Sequence, residues 1–384
     1  LDLGALAESL GVELEPSAEP PVPLEPARTR VRVAEKRAER VARAAARVAA
    51  AKTELERRRI LKRQRACRQS FEEFVREFWA IAEPAHTYVD NEASSALILH
   101  LQALADGAFK QLAISLPPGF GKSTIVSVLY PAWRWARNPA WRVLTASHEF
   151  GLATRDSRRT RRILESAEYR VMFPDVRLRH DANRQDEYET TEAGHRIAIG
   201  VGGGLTGKRG DAFIIDDSLN AIERFSKTAR ERVNNWFADA ASSRLDGDEP
   251  EFVIIQQRLH ATDLIGHLRK SDPDGWVWLN LAAVYDTKYP CVTPVWEDAR
   301  TAGELLAPAL LSEAKIGKLR TKMGSVGFNC QYQQQPSDES GGMFKREWWR
   351  WWKPDGTAGG GRVEGARIDP ACALPTTFDR VVIA

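Results

Sequence analysis

The stretch Leu116-Pro117-Pro118-Gly119-Phe120-Gly121-Lys122-Ser123-Thr124 contains the residue types that hold a polyphosphate. It departs from the pattern G-x-x-x-x-G-K-[ST] only at its first position, where Leu116 stands for glycine. Glycines let backbone amides close on phosphate oxygens, and a helix starting at the loop adds partial positive charge. Lys122 would reach the β and γ phosphates of ATP, and the Ser123 hydroxyl would ligate Mg²⁺. Pro118, Gly119, Phe120, Gly121, Lys122, Ser123 and Thr124 are therefore the candidate nucleotide contacts. The competing reading, an accidental turn before a helix, is disfavoured by the apolar run before the loop and the helical pattern after it.

Such a loop needs a carboxylate from the end of another buried strand to hold the metal. Ala212-Phe213-Ile214-Ile215-Asp216-Asp217 supplies two. Asp216 is the expected metal ligand, and Asp217 the residue that polarises the attacking water. Phe252-Val253-Ile254-Ile255 ends in Gln256-Gln257-Arg258, so Gln256 is the expected sensor of the γ phosphate. The Gly-rich, basic stretch 202–211 places Arg209 as a candidate arginine finger acting on a neighbouring subunit's ATP, with DNA contact or a plain surface loop as the alternatives. Arg155, Arg158, Arg159, Arg161 and Arg162 share a helical stretch, where a solvated face is the simpler reading.

The elements that must position these groups are legible as alternation. Short apolar runs at Gln111–Leu116, Arg142–Ser147, Arg196–Val201, Ala212–Ile215 and Phe252–Ile255 are separated by helical stretches such as Leu152–Ser166 and Ser123–Arg137, the latter with a kink expected at Pro131. The class is α/β, a mainly parallel sheet flanked by helices. Arg142–Ser147 falls between the phosphate loop and the acid pair, so a further strand is expected between the two nucleotide strands, as in P-loop ATPases with an added catalytic acid (the ASCE type). A small helical subdomain is expected near 265–337.

The chain has 384 residues, 43% of them hydrophobic and 28% charged, which suits a soluble protein of two or three units. No apolar run approaches the roughly 18 residues of a membrane span. Cys67, Cys291, Cys330 and Cys372 form no CxxC pair, which argues against a disulfide framework or a zinc site. No basic-then-apolar leader opens the chain, so secretion is not expected. The net charge of +3 conceals an asymmetry. Residues 1–26 hold six acids with no Lys or Arg and much proline, the composition of a mobile tail; residues 27–68 hold 16 Lys or Arg against four acids. That second block lacks Gly and Pro and predicts one long basic helix, with a thin seam at Ala34, Val41, Val48 and Leu55. A solvated helix, a docking element and a DNA-phosphate contact are all open to it.

The succession of motifs resembles the large terminase subunits of tailed bacteriophages. It runs from the phosphate loop through Thr145-Ala146-Ser147-His148, then Gly207-Lys208-Arg209-Gly210-Asp211 leading into Asp216-Asp217. It continues through Gln257-Arg258-Leu259-His260 with Asp263-Leu264 to Tyr332-Gln333-Gln334-Gln335-Pro336. The likeness covers about residues 75–350. It implies an ATPase motor that moves double-stranded DNA into a procapsid in the host cytoplasm. It also implies a homo-oligomeric ring, usually of five subunits, docked on a portal protein, and a small terminase subunit as partner. Residues 69–337 would be the ATPase domain. Residues 338–384 would be a linker, with tryptophans at 348, 349, 351 and 352, running into the first strand of a ribonuclease-H-like nuclease that this chain lacks. The rival readings are a helicase-like or DNA-repair ATPase and a non-hydrolysing nucleotide-binding scaffold.

Overall fold

The computed structural model describes residues 43, 53–204, 207–241, 244–246 and 250–336, and two short strands at 351–352 and 358–359. The chain forms one unit over Leu1–Leu61 and another over Lys62–Ala384. In the first, residues 53–61 are helical and mostly exposed, with Glu54 accepting from Arg57 at 3.0 Å and Arg58 at 2.8 Å. The expected acidic tail and most of the basic block lie outside the described residues. So does the stretch 338–384, apart from Trp351–Trp352 paired antiparallel with Ala358–Gly359.

The larger unit opens with helical residues 62–69 (α1), which corrects the expected boundary after residue 68. Cys67 is buried and its carbonyl accepts from Trp133 Nε1 at 2.8 Å, while Arg68 Nη2 donates to both carboxylate oxygens of Asp175. The end of the basic block is therefore part of the globular core. Ser70 then caps α2 (Phe71–Ala82) by accepting from the amide of Glu73, with Glu72 and Glu73 complementing the helix dipole. Phe71, Phe74, Val75, Phe78 and Ala82 recur at helical spacing, and all are buried. Asn91 and Ser94 form a reciprocal capping box at the start of α3 (Glu92–Ala105).

The strands are β1 (Gln111–Ser115), β2 (Val143–Ser147), β3 (Leu178–Asn183), β4 (Glu187–Thr190), β5 (His195–Gly200), β6 (Ala212–Asp216), β7 (Glu251–Gln256) and β8 (Val277–Asn280). They form one sheet in the order β3-β4-β5-β2-β6-β7-β1-β8. From β5 to β8 every pairing is parallel, whereas β3 and β4 add an antiparallel edge. A strand does separate β1 from β6, but it is β7 and not the expected run at Arg142–Ser147, which lies on the far side of β6 as β2. Strands β2 and β6 are buried throughout and β7 nearly so. Their apolar patterns cannot rank them laterally; the crossover connections do that.

The connections after β1 and β2 are the π-helical turn Thr124–Leu129 leading into α4 (Tyr130–Arg137), and α5 (Phe150–Glu165) with the short α6 (Ala167–Met172). The expected kink at Pro131 takes the form of the π turn, in which Tyr130 N donates to Ile125 O, five residues back. Pro131 has no N–H for the carbonyl of Ser127, and the single hydroxyl proton of Thr160 on α5 is shared among Val128 O at 3.0 Å, Asp156 O at 3.2 Å and Ser127 O at 3.5 Å. On the opposite face of the sheet lie α7 (Lys227–Ala241) and α8 (Leu264–Ser271), packing Trp236, Phe237, Leu264 and Leu268 against Phe213 and Phe252.

The expected small subdomain near 265–337 is not separate. β8 joins the main sheet beside β1, and Leu281, Cys291, Leu306, Leu311 and Phe328, the last on α9 (Glu313–Gln331), belong to the same core as Phe71 and Trp133. Gln334 Oε1 accepts from the amide of Arg258 at 2.8 Å, and Gln333 accepts from Val284 N. Buried Arg258 donates through Nε to both oxygens of Asp263, which also caps α8. The glutamine run and the Arg-Leu-His element thus tie the C-terminal segment to the sheet.

A candidate nucleotide-binding cleft

The parallel strands β1, β6, β7 and β2 end on the same edge of the sheet, and the crevice outside the carboxyl ends of such strands is where α/β folds bind ligands. There the phosphate loop forms a cleft of about 450 Å³ lined by Pro118, Gly119, Gly121, Lys122, Ser123 and Thr124. Gly119 and Gly121 have φ of 89° and 71°, a region that penalises a side chain. A Cβ on Gly121 would also stand 3.1 Å from the ring of Trp79.

Lys122 Nζ donates to Asp217 Oδ1 at 2.6 Å, so the loop cation and the second acid of the pair meet across the cleft floor. Asp217 has a φ of 46° and is held by the strands beside it. Its amide donates to Ile255 O, its carbonyl accepts from His148 N, and its Oδ1 also accepts weakly from Gln257 N at 3.4 Å. Asp216 lies deeper, 7% exposed, with Oδ2 accepting from Ser127 Oγ at 2.7 Å and Oδ1 without a partner. Burial, and then the negative charge of Asp217, push its carboxyl up to about 7. A buried carboxylate oxygen that lacks a donor suits a hard oxygen-seeking cation. Among the described residues no three His, Cys, Asp or Glu converge as a metal cage, so the remaining ligands would be phosphate oxygens and water.

Neither Gln256 nor Asp216 is among the residues lining this cleft, and Arg209, expected to act on a neighbouring subunit's ATP, lies away from its own chain's cleft. Gln256, 3% exposed, accepts from Ser218 Oγ at 2.7 Å inside the fold, whereas Gln257 lines the cleft with its Oε1 unpartnered. The last residue of β7 keeps the inward pleat, and the next one leaves the strand toward the loop. Arg209 lies 64% exposed just before β6, donating to Asp246 at 2.8 Å. It lies beyond the amino end of the strand whose carboxyl end carries Asp216, and the strand alone separates the two ends by about 13 Å at ~3.3 Å per residue.

Arg155 and Arg159, assigned to a solvated face by sequence, line the cleft with Glu83. Arg159 is clamped by Glu83 Oε2 at 2.6 Å, Thr124 Oγ1 at 3.0 Å and the Ala82 carbonyl, joining α5 to α2 and to the loop helix. Nothing in the arginine run set these two apart from Arg158, Arg161 and Arg162; the packing of α5 against α2 decides which of them reach the cleft. A second cavity of about 480 Å³ shares Glu83, Gly119, Gly121 and Thr124 with the first and adds Trp79, His86, Tyr88, Asn91, Phe120 and Leu310. Phe120 thus lies on this apolar side of the loop. Trp79 and Tyr88 bring ring centroids within 5.0 Å. The amide of Asn91 is consumed by helix capping and by Val89 O, which leaves aromatic faces and backbone to meet a planar base.

Solved structures that this chain resembles include large terminases of bacteriophages. The bacteriophage HK97 large terminase aligns with 66% of this chain and 52% of its own length, at 12% identity and a TM-score of 0.41. The large terminase of a thermophilic bacteriophage, solved in complex with ADP, aligns with 47% of this chain and 44% of its own at 14% identity and 0.34. A mutant ATPase domain of the Thermus phage P74-26 large terminase aligns with 68% of this chain and 98% of its own at 11% identity and 0.43. The chain thus spans about half the length of the first two of these proteins. No protein-family model matches the sequence, and no curated protein does.

Proposed function

We propose that this chain is the ATPase part of a large terminase subunit, using ATP and Mg²⁺ to drive double-stranded DNA into a viral procapsid. The observation that supports it best is the convergence of Lys122, Ser123, Asp217 and Gln257 on one cleft that shares Gly119, Gly121 and Thr124 with a neighbouring pocket walled by Trp79 and Tyr88. In this reading the loop amides and Lys122 take the phosphates, and Trp79 and Tyr88 enclose the base. Ser123 and Asp216 hold the metal, which when bound neutralises charge on the transferring phosphoryl group. As Lys122 turns to phosphate it leaves Asp217, whose freed carboxylate orients and polarises the attacking water. Arg155 and Arg159 supply positive charge from the same chain, and Gln257, which lines the cleft, replaces Gln256 as the group that senses the γ phosphate, donating through its amide nitrogen. A ring of subunits on a portal protein, a small terminase partner, transient docking on the procapsid in the host cytoplasm and a separate nuclease domain belong to the same reading.

Lys122→Ala should abolish phosphate release while leaving the thermal melt near that of the parent chain, because the residue contacts the cleft and not the core. Undiminished turnover in that variant would refute the site. A motor of this kind should move along duplex without separating its strands, so strand separation without duplex translocation would favour a helicase.

A further inference from the structure

Helix α5 carries a buried carboxylate that the proposed mechanism does not use. Asp156 has a side chain only 6% exposed, yet both of its oxygens are engaged by one neighbour: Oδ1 accepts from Arg155 Nε at 3.0 Å and Oδ2 from Arg155 Nη2 at 3.1 Å. Oδ1 also receives Arg159 Nη1, at 3.4 Å. Adjacent residues on a helix point about 100° apart and do not normally meet. Arg155 must therefore curl across the helix surface to make this two-pronged contact, and its side chain, 48% exposed, lies at the wall of the cleft. Arg159 does not depend on Asp156 in the same way, since Glu83, Thr124 and Ala82 already hold it.

From this geometry we infer that Asp156 is a positioning residue that aims Arg155 at the terminal phosphate of the bound nucleotide. The inference rests on the reading of the cleft as an ATPase site. Without the carboxylate, Arg155 is a long side chain at a half-exposed position, free to sample rotamers that face solvent. With it, the planar guanidinium is locked by two parallel hydrogen bonds, the geometry in which arginine delivers charge with least reorganisation. A group held in place before reaction stabilises developing phosphoryl charge more than one that must be ordered during it. ADP, which lacks the γ phosphate, should be indifferent to the aim of Arg155.

The test is Asp156→Asn in the full chain, alone and combined with Arg155→Ala, with kcat and KM for MgATP measured beside the dissociation constant of ADP. Asp156→Asn should lower kcat by about tenfold and leave ADP affinity within about twofold. In the Arg155→Ala background the same substitution should change kcat by less than about twofold, since its effect runs through the arginine. An unchanged kcat, or an equal loss in both backgrounds, overturns the inference. Loss of ADP binding together with turnover also overturns it, because the carboxylate would then be holding the fold. A parent chain that binds ADP but releases no phosphate would sink the ATPase reading itself, an outcome distinct from these.

Discussion

Asp216 ends a strand that is covered on both faces, so its carboxyl meets little water, while Asp217, one residue on, turns through a positive φ into the cleft and takes the charge of Lys122. The first acid holds its proton up to about pH 7, where its unfolded counterpart has lost it near pH 4. Between those values the native state binds more protons than the unfolded state, so the nucleotide-free protein should lose stability as pH rises through that window and level off above it. Melting temperatures from pH 4.5 to 8 would show this, and Asp216→Asn should flatten the slope. The same site makes a second residue-scale prediction. Gln257→Ala should reduce turnover by about tenfold or more with little change in melting, whereas Gln256→Ala should mainly destabilise, by about 1–3 kcal/mol, by leaving buried Ser218 without its partner. Equal kinetic losses in the two variants would contradict the assignment of the cleft position to Gln257.

The π turn after the loop at 116–124 coincides with Pro131, which cannot donate to the helix, and the Thr160 hydroxyl on α5 lies against the carbonyls of Ser127 and Val128 there. The Thr160 hydroxyl also accepts from Nη1 of Arg196, a fully buried guanidinium on β5 whose Nε and Nη2 have no partner. One hydroxyl therefore joins the loop helix, α5 and the sheet. Thr160→Val keeps the shape and removes these bonds, and should cost at least about 1–3 kcal/mol in urea unfolding because it strands buried polar groups. Ser70→Ala, which removes only the cap of α2, should cost about 1 kcal/mol. If the two were equally mild, the Thr160 junction would not be the structural link between loop and sheet that its contacts describe.

For the molecule as a whole, the compact unit begins at Lys62 and not after the basic block. A chain starting at residue 62 should melt within a few degrees of the parent, and one starting at residue 70 markedly lower. The shorter chain loses buried Cys67, the Cys67 carbonyl that satisfies Trp133, and the two-pronged Arg68–Asp175 pair. Matching melts for the two truncations, followed by circular dichroism, would mean that α1 is a passive extension.

Local chemistry in the sequence determined the phosphate loop, the acid pair at a strand end and the α/β class. Each depends on neighbours within about ten residues: a glycine where φ must be positive, a lysine beside a helix start, and apolar runs of strand length. Lateral order was not available from such neighbours. The apolar residues at β2, β6 and β7 are all buried, so only the crossovers could place β7 beside the loop strand and send β2 outward. The polar strands β3 and β4 carried too little apolar pattern to be read as strands at all. Within the site, Gln256 and Gln257 differ only in which way a strand end turns, and Arg155 and Arg159 differ from their helix neighbours only in the side of α5 that meets the cleft. Which side chains enter the cleft is a question of directions in space, and those were decided when the sheet, α2 and α5 packed together.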